Sequence, residues 1–287
     1  MTKRLEWVCV IGLSLLATGC SAAFESRLDP SLPPVHLTTT TVRLHDTSLE
    51  LHLAMPATPV PPARLVVYAT GDGGWFGAAS DMFRSIARQG YATVGFSSRA
   101  FLRIERPRNA PLNARRLADD YAAILARARQ ALGVAAGPTA ILAGWSRGAA
   151  FSAIAASEPA LDGQLLGVIA IGLDKGEDLT VDGPQDETDE GSASDPGRHW
   201  PLEPYARLKD IGALRCAVIQ STHDNYLPAA RARVLFGPDS PTRRFYSVEA
   251  SNHRFSGGED AFVAALASAL SWTSGSDAPG TPEETTR

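Results

Sequence analysis

The sequence predicts an α/β fold: a mostly parallel central sheet with helices on both faces and an antiparallel hairpin at its N-terminal edge. Three observations carry this expectation. Residues 64–70 (RLVVYAT), 92–96 (ATVGF), 139–143 (TAILA), 167–172 (GVIAIG), 215–220 (RCAVIQ) and 244–248 (RFYSV) are short, largely apolar runs. A strand that is apolar at successive positions is buried on both faces, as in a parallel sheet. Between these runs lie segments with helical spacing, at 83–89, 114–132, 147–156, 228–236 and 260–272. Residues 35–44 and 48–55 are rich in Val, Thr and Leu and flank His45-Asp46-Thr47, which reads as a hairpin.

Taken in order, residues 1–19 read as a removable export signal. Lys3 and Arg4 precede an apolar run at 7–16 that is too short for a bilayer, which needs about 20 residues. The run ends in Leu16-Ala17-Thr18-Gly19-Cys20, which resembles a bacterial lipobox. That resemblance implies lipidation of Cys20 and a lipid-anchored protein in the periplasm, with Ser21 favouring the outer membrane. Residues 20–34 are Ser-, Pro- and Ala-rich and read as a tether. A single domain is expected over 35–272. Within it, Gly90 stops the helix at 83–89, and residues 97–113 read as a Pro- and Arg-rich loop. The polar, Pro/Gly-rich segment 273–287 reads as a disordered tail.

The chain has 287 residues, 27 basic and 31 acidic side chains, and a formal charge of −4. Such a balance argues against a nucleic-acid partner, which calls for a basic domain. Two segments depart from it. Residues 99–116 carry six arginines and Glu105, and residues 174–195 carry nine carboxylates and Lys175. The acidic run lacks the ligand spacing of an EF-hand and reads as a solvated loop, so no metal is expected. Of the three cysteines, Cys9 leaves with the signal and Cys20 would carry lipid, so Cys216 has no disulfide partner.

The chemistry is concentrated at the carboxyl ends of the expected strands. Gly144-Trp145-Ser146-Arg147-Gly148 follows one strand directly and opens a helix. This is G-x-S-x-G in the strand–turn–helix setting of a nucleophile elbow, which points to an α/β-hydrolase fold with Ser146 as nucleophile. A serine needs a base and the base an orienting acid, in the chain order Ser, acid, His. Of the six histidines only His253 follows the last expected strand. His36, His45 and His52 fall in the hairpin and read as surface groups, and His199 borders the acidic run. Asp224, after the 215–220 strand, leads as the acid, with Asp174, after 167–172, as the alternative. The backbone N–H of Arg147 would be one oxyanion donor. Asp72 or Gly73, in the Gly71-Asp72-Gly73-Gly74-Trp75 loop after the 64–70 strand, would supply the other. Trp75, Arg103, Arg106 and Arg108 are expected to touch substrate. Triad chemistry supplies nucleophile, base and oxyanion donors itself, so no cofactor is expected.

Several of these residues together are similar to a known pattern: GDGGW at 71–75, then Asp81, Gly90-Tyr91 opening a strand, the G-aromatic-S-x-G elbow, and His253-Arg254-Phe255. They resemble the VirJ/AcvB family of bacterial periplasmic α/β-hydrolases over about residues 64–272. Arg147, where that family usually has an aromatic, and Arg254, where a second His is common, depart from it. The resemblance implies a serine hydrolase of carboxylic esters acting on membrane lipid esters such as aminoacyl-phosphatidylglycerol. It also implies links to virulence and to a type IV secretion partner. The alternatives are a generic small-ester esterase or thioesterase, or a non-catalytic secretion component, and the presence of Ser146, Asp224 and His253 together favours an enzyme.

Overall fold

A computed structural model describes residues 34–59, 63–105, 113–178 and 201–276. The expectations for the signal, Cys20, most of the tether, Arg106, Arg108, His199, most of the acidic run and the tail beyond 276 lie outside the described residues.

The strands are β1 (Val35–Leu44), β2 (Thr47–Pro56), β3 (Leu65–Ala69), β4 (Ala92–Phe96), β5 (Ala140–Trp145), β6 (Leu165–Ile171), β7 (Glu177–Asp178), β8 (Pro201–Leu202), β9 (Arg215–Ser221) and β10 (Arg243–Val248). The helices are α1 (Ala78–Arg88), α2 (Ser98–Glu105), α3 (Ala114–Leu132), α4 (Arg147–Ala156), α5 (Pro204–Asp210), α6 (Ala229–Phe236) and α7 (Glu259–Ser274). One eight-stranded sheet runs β1-β2-β4-β3-β5-β6-β9-β10. Strand β2 is antiparallel to both β1 and β4, and every later pairing in that sheet is parallel. Strands β7 and β8 form a separate two-residue antiparallel pair.

The apolar runs work as parallel strands because alternate side chains feed two cores. Leu65, Val67, Ala140, Leu142, Cys216 and Val218 face one side, where Phe101, Leu117, Tyr121 and Phe151 pack. Val66, Tyr68, Ile141, Ala143, Ala217 and Ile219 face the other, against Met82, Phe83, Ile86, Phe262 and Leu266 of α1 and α7. Helix α3 is capped at both ends: Asn113 accepts from the Arg116 N–H at 2.9 Å, and Gly133 takes the left-handed conformation with φ 66°.

Four elements differ from expectation. Helix α1 begins at Ala78, five residues early, because Gly77 (φ 54°) turns the chain directly into it. Residues 98–105 are helical, where a loop is expected. Ser97 Oγ accepts from Ala100 N–H, and Phe101 and Leu102 are buried, so capping and core contact outweigh the prolines that follow. Helix α5, unanticipated, starts on Pro204 and buries Tyr205 and Leu208. Helix α7 extends past residue 272, with Thr273 and Ser274 buried in its last turn.

Candidate active site

Ser146 sits between β5 and α4 at φ 56° and ψ −121°, a strained backbone for a residue with a side chain. The flanking glycines are required there. A Cβ on Gly144 would lie 2.1 Å from Gly148 O, and one on Gly148 would lie 2.1 Å from Ala69 O. The Ser146 N–H donates to Ile171 O at 2.8 Å, extending the β5–β6 ladder to the serine itself. The elbow is thus held from both neighbouring strands.

The late loops bring His253 and Asp224 together. His253 Nδ1 is 2.7 Å from Asp224 Oδ2, and both side chains are nearly inaccessible to solvent. Asp224 Oδ1 accepts the backbone N–H groups of Tyr226 (2.9 Å) and Leu227 (3.4 Å), and Oδ2 accepts Gln220 Nε2 at 3.1 Å. A carboxylate with this many donors is fixed in rotation. The imidazole is bounded by the Trp145 ring (centroids 5.5 Å apart), by the edge of Tyr226 (4.9 Å) and by Gly172, where a Cβ would stand 2.8 Å from His253 Cε1. Trp145 Nε1 donates to the His253 carbonyl at 3.3 Å. The loop carrying His253 is itself closed by Asn252 Oδ1, which accepts from Arg254 and Ser256 N–H, and by buried Phe255 packed on Phe262. His253 Nε2 is buried and makes no hydrogen bond among the described residues.

Ser146, His253, Asp72, Gly73 and Trp145 line one open cavity of about 870 Å³, with Phe76 and Tyr226 on its rim. Gly71 approaches Ser146 so closely that a Cβ there would be 3.2 Å from Ser146 Cβ, so the glycine loop lies against the serine. Arg147 Nε is 2.9 Å from Asp72 Oδ1, linking the elbow to that loop.

The alternative acid is placed elsewhere. Asp174 is half-buried, and its Oδ1 accepts the Lys175 N–H at 2.6 Å. His223 is exposed and turned to Thr222 Oγ1 (3.0 Å) and Glu249 (3.5 Å). Trp75 is a correction. It is absent from the lining of the cavity around Ser146 and stacks on His52 (centroids 3.8 Å, 5° between planes) and edge-on to Phe83. A Cβ on Gly95 would be 2.5 Å from Trp75 Cη2. The indole therefore anchors the loop to β2 and β4, and a smaller cleft lies beside it. Arg103 is exposed on α2 and does not line the cavity. The aromatics that do line it, Trp145, Phe76 and Tyr226, were not anticipated. Trp145 is the variable position of the elbow, so the motif itself held the signal. His52 is also no simple surface group: it is half-buried, and burial lowers its pKa against the opposing pull of Glu50.

Two other titratable groups, Tyr205 and Cys216, are buried. Burial raises the Tyr205 pKa, with the charges of Asp174 and Asp224 adding to it, and its hydroxyl donates to Leu173 O at 3.2 Å. Burial pushes the Cys216 thiol up to about 12 despite nearby Arg243. Among the described residues no group of three His, Cys, Asp or Glu is arranged to hold a metal. No helix of the described residues is long and apolar enough to cross a membrane.

No protein-family model matches the chain, and no curated protein matches it in sequence. Solved structures do match it in fold. A dienelactone hydrolase from Anabaena variabilis is 13% identical with a TM-score of 0.57, covering 82% of this chain and 97% of its own. Est1E from Butyrivibrio proteoclasticus is 14% identical with a TM-score of 0.56, covering 82% and 98%. An esterase domain from Rhodothermus marinus is 19% identical with a TM-score of 0.51, covering 83% and 98%. With the strand order above, these matches give the chain the α/β-hydrolase fold.

Proposed function

We propose that the protein is a serine hydrolase of carboxylic esters, with Ser146 as nucleophile, His253 as general base and Asp224 as its orienting acid. The observation that carries this reading is the His253–Asp224 contact of 2.7 Å in the cavity that Ser146 lines from a strained elbow. In the proposed reaction Ser146 Oγ attacks the ester carbonyl while His253 Nε2 takes its proton. Asp224 holds Nδ1–H, so Nε2 is the basic nitrogen and the imidazolium is stabilised as it forms. The developing oxyanion meets the Arg147 N–H and a second N–H from Asp72 or Gly73. His253 then returns the proton to the leaving alkoxide, and water repeats the sequence to free the acid.

For the substrate we propose a membrane lipid ester such as aminoacyl-phosphatidylglycerol, hydrolysed at the aminoacyl bond. Support for this comes from the motif set similar to VirJ/AcvB and from the lipobox-like run ending at Cys20. Both fit a lipid-anchored enzyme in the periplasm, favouring the outer membrane, and leave open a partner in type IV secretion. The arginine-rich sequence that includes Arg103, Arg106 and Arg108 would suit anionic head groups.

The test has two arms. A fluorophosphonate probe should label the wild type and not Ser146→Ala, and absence of Ser146-dependent labelling points to a non-catalytic scaffold. Lipids from cells lacking the protein should accumulate aminoacylated phosphatidylglycerol. Ser146-dependent labelling with an unchanged lipid profile points instead to a small soluble ester.

A further inference from the structure

Gln220 is an anomaly of the sheet. It lies near the end of β9 in the run Cys216-Ala217-Val218-Ile219, and its side chain is 0% exposed. A buried amide in an apolar strand is costly unless its polar atoms are used. Its Nε2 makes two hydrogen bonds, to Asp224 Oδ2 at 3.1 Å and to Leu227 O at 2.6 Å. Both partners are acceptors, so the amide orientation is fixed by chemistry: a flipped amide would set its oxygen against two oxygens. Its Oε1 is buried and has no hydrogen-bond partner among the described residues. That unsatisfied acceptor is a standing cost, which argues that the residue is not there for stability.

The two bonds of Nε2 have distinct effects. The first fixes the oxygen that His253 Nδ1 also contacts, so the carboxylate plane, and through it the imidazole, is set by a residue of the rigid sheet. The second clamps the 222–228 loop, which carries Tyr226 against the His253 ring.

We propose that Gln220 is a positioning residue for the hydrolytic site. It acts through Asp224 and the Tyr226 loop to hold His253 in register with Ser146. This rests on the serine-hydrolase reading above. The charged and titratable groups around the pair are Tyr205 from α5, Asp174 after β6, and Arg254 and Glu259 at the cavity wall. None of these makes the contact that Gln220 makes.

The experiment compares Gln220→Met and Gln220→Glu with wild type and Ser146→Ala on p-nitrophenyl acetate. Methionine keeps length and removes both the donor and the unpaired Oε1, but it leaves Leu227 O without its partner, so the variant should fold with a Tm a few degrees lower. Its kcat should fall about tenfold with KM within about twofold. The acid limb of its kcat/KM profile should move by about half a pH unit, because Asp224 shares its charge differently with the imidazole. Gln220→Glu, which sets a second carboxyl against Asp224, should fall further. A folded Gln220→Met with wild-type kcat and an unmoved acid limb overturns the assignment while Ser146-dependent activity stands. Activity that survives Ser146→Ala overturns the underlying reading and this one with it.

Discussion

Gly172 offers a way to separate backbone strain from damage to the imidazole. It stands one residue past β6 at φ 58°, a conformation that costs a residue with a Cβ about 1–2 kcal/mol. In Gly172→Ala the new methyl would lie 2.8 Å from His253 Cε1, 3.2 Å from Nδ1 and 3.3 Å from Trp145 Cδ1. Ordinary carbon contacts begin near 3.5 Å, so the ring must yield by several tenths of an ångström. Asp224, Trp145 and Tyr226 leave it little room. Gly212 supplies the control, since it has φ 62° and a Cβ there meets nothing within 4 Å. Backbone strain alone should therefore cost both alanine variants about 1–2 kcal/mol, a Tm drop of about 2–8 °C for a domain of this size, and Gly172→Ala should lose more because its methyl also displaces the ring. Only Gly172→Ala should lose activity, by about tenfold or more, since displacing a catalytic group by about 1 Å can cost a hundredfold. Thermal melts and kcat/KM on p-nitrophenyl acetate measure both. Equal activity in the two folded variants would refute the placement of His253 as the working base.

Two further outcomes follow from the same structure. The pKa of His52 is lowered by burial in the folded state, so the folded protein binds fewer protons than the unfolded chain near pH 6.5. Its contribution to stability is complete above that pH and lost below it; Tm should fall from pH 7.5 to 5, and fall less in His52→Gln, while parallel curves would contradict the assignment. Phe76 is 67% exposed on the cavity rim; Phe76→Ala should raise KM for p-nitrophenyl octanoate about fivefold and leave the acetate unchanged, and equal effects on both esters would remove Phe76 from acyl binding.

Legibility from sequence follows the range of the interactions. Strands β3, β4, β5 and β9 are readable because burial on both faces leaves a local mark, an unbroken apolar run. The elbow is readable because its motif is contiguous and directly follows a strand, even though only Gly144 answers to a contact inside it and Gly148 answers to Ala69 on β3. The Asp224–His253 contact is legible only through chain order, since it spans 29 positions. Nothing in the sequence separates Asp224 from Asp174 except which strand each follows. Helix α2 is missed because two prolines nearby outweigh a weak cap. Trp75 is misread because a loop aromatic beside glycines suggests a ligand, whereas Gly95, twenty residues on, is the seat that the indole needs. Gln220 gives no signal at all, since its role exists only once β9 and the 222–228 loop are packed.

The misreading of Trp75 bears on how the two expected oxyanion donors are kept in register. One comes from the end of β5 and the other from the loop after β3, so their spacing depends on two different strands. Two devices are available to fix it. The Arg147–Asp72 ion pair joins the loops directly, but Asp72 is 63% exposed. Exposed pairs contribute about 0–1 kcal/mol and are screened by salt. The other device is the Trp75 stack on His52 and its seat on Gly95, within a sheet that pairs Ala69 with Gly144. Aromatic pairs add about 0.5–1.5 kcal/mol beyond burial of the ring, which is itself worth more. The indole and the sheet register therefore hold the loop, and the ion pair trims its position. On this argument Trp75 sets the position of the 71–74 loop against Ser146 from outside the cavity lining.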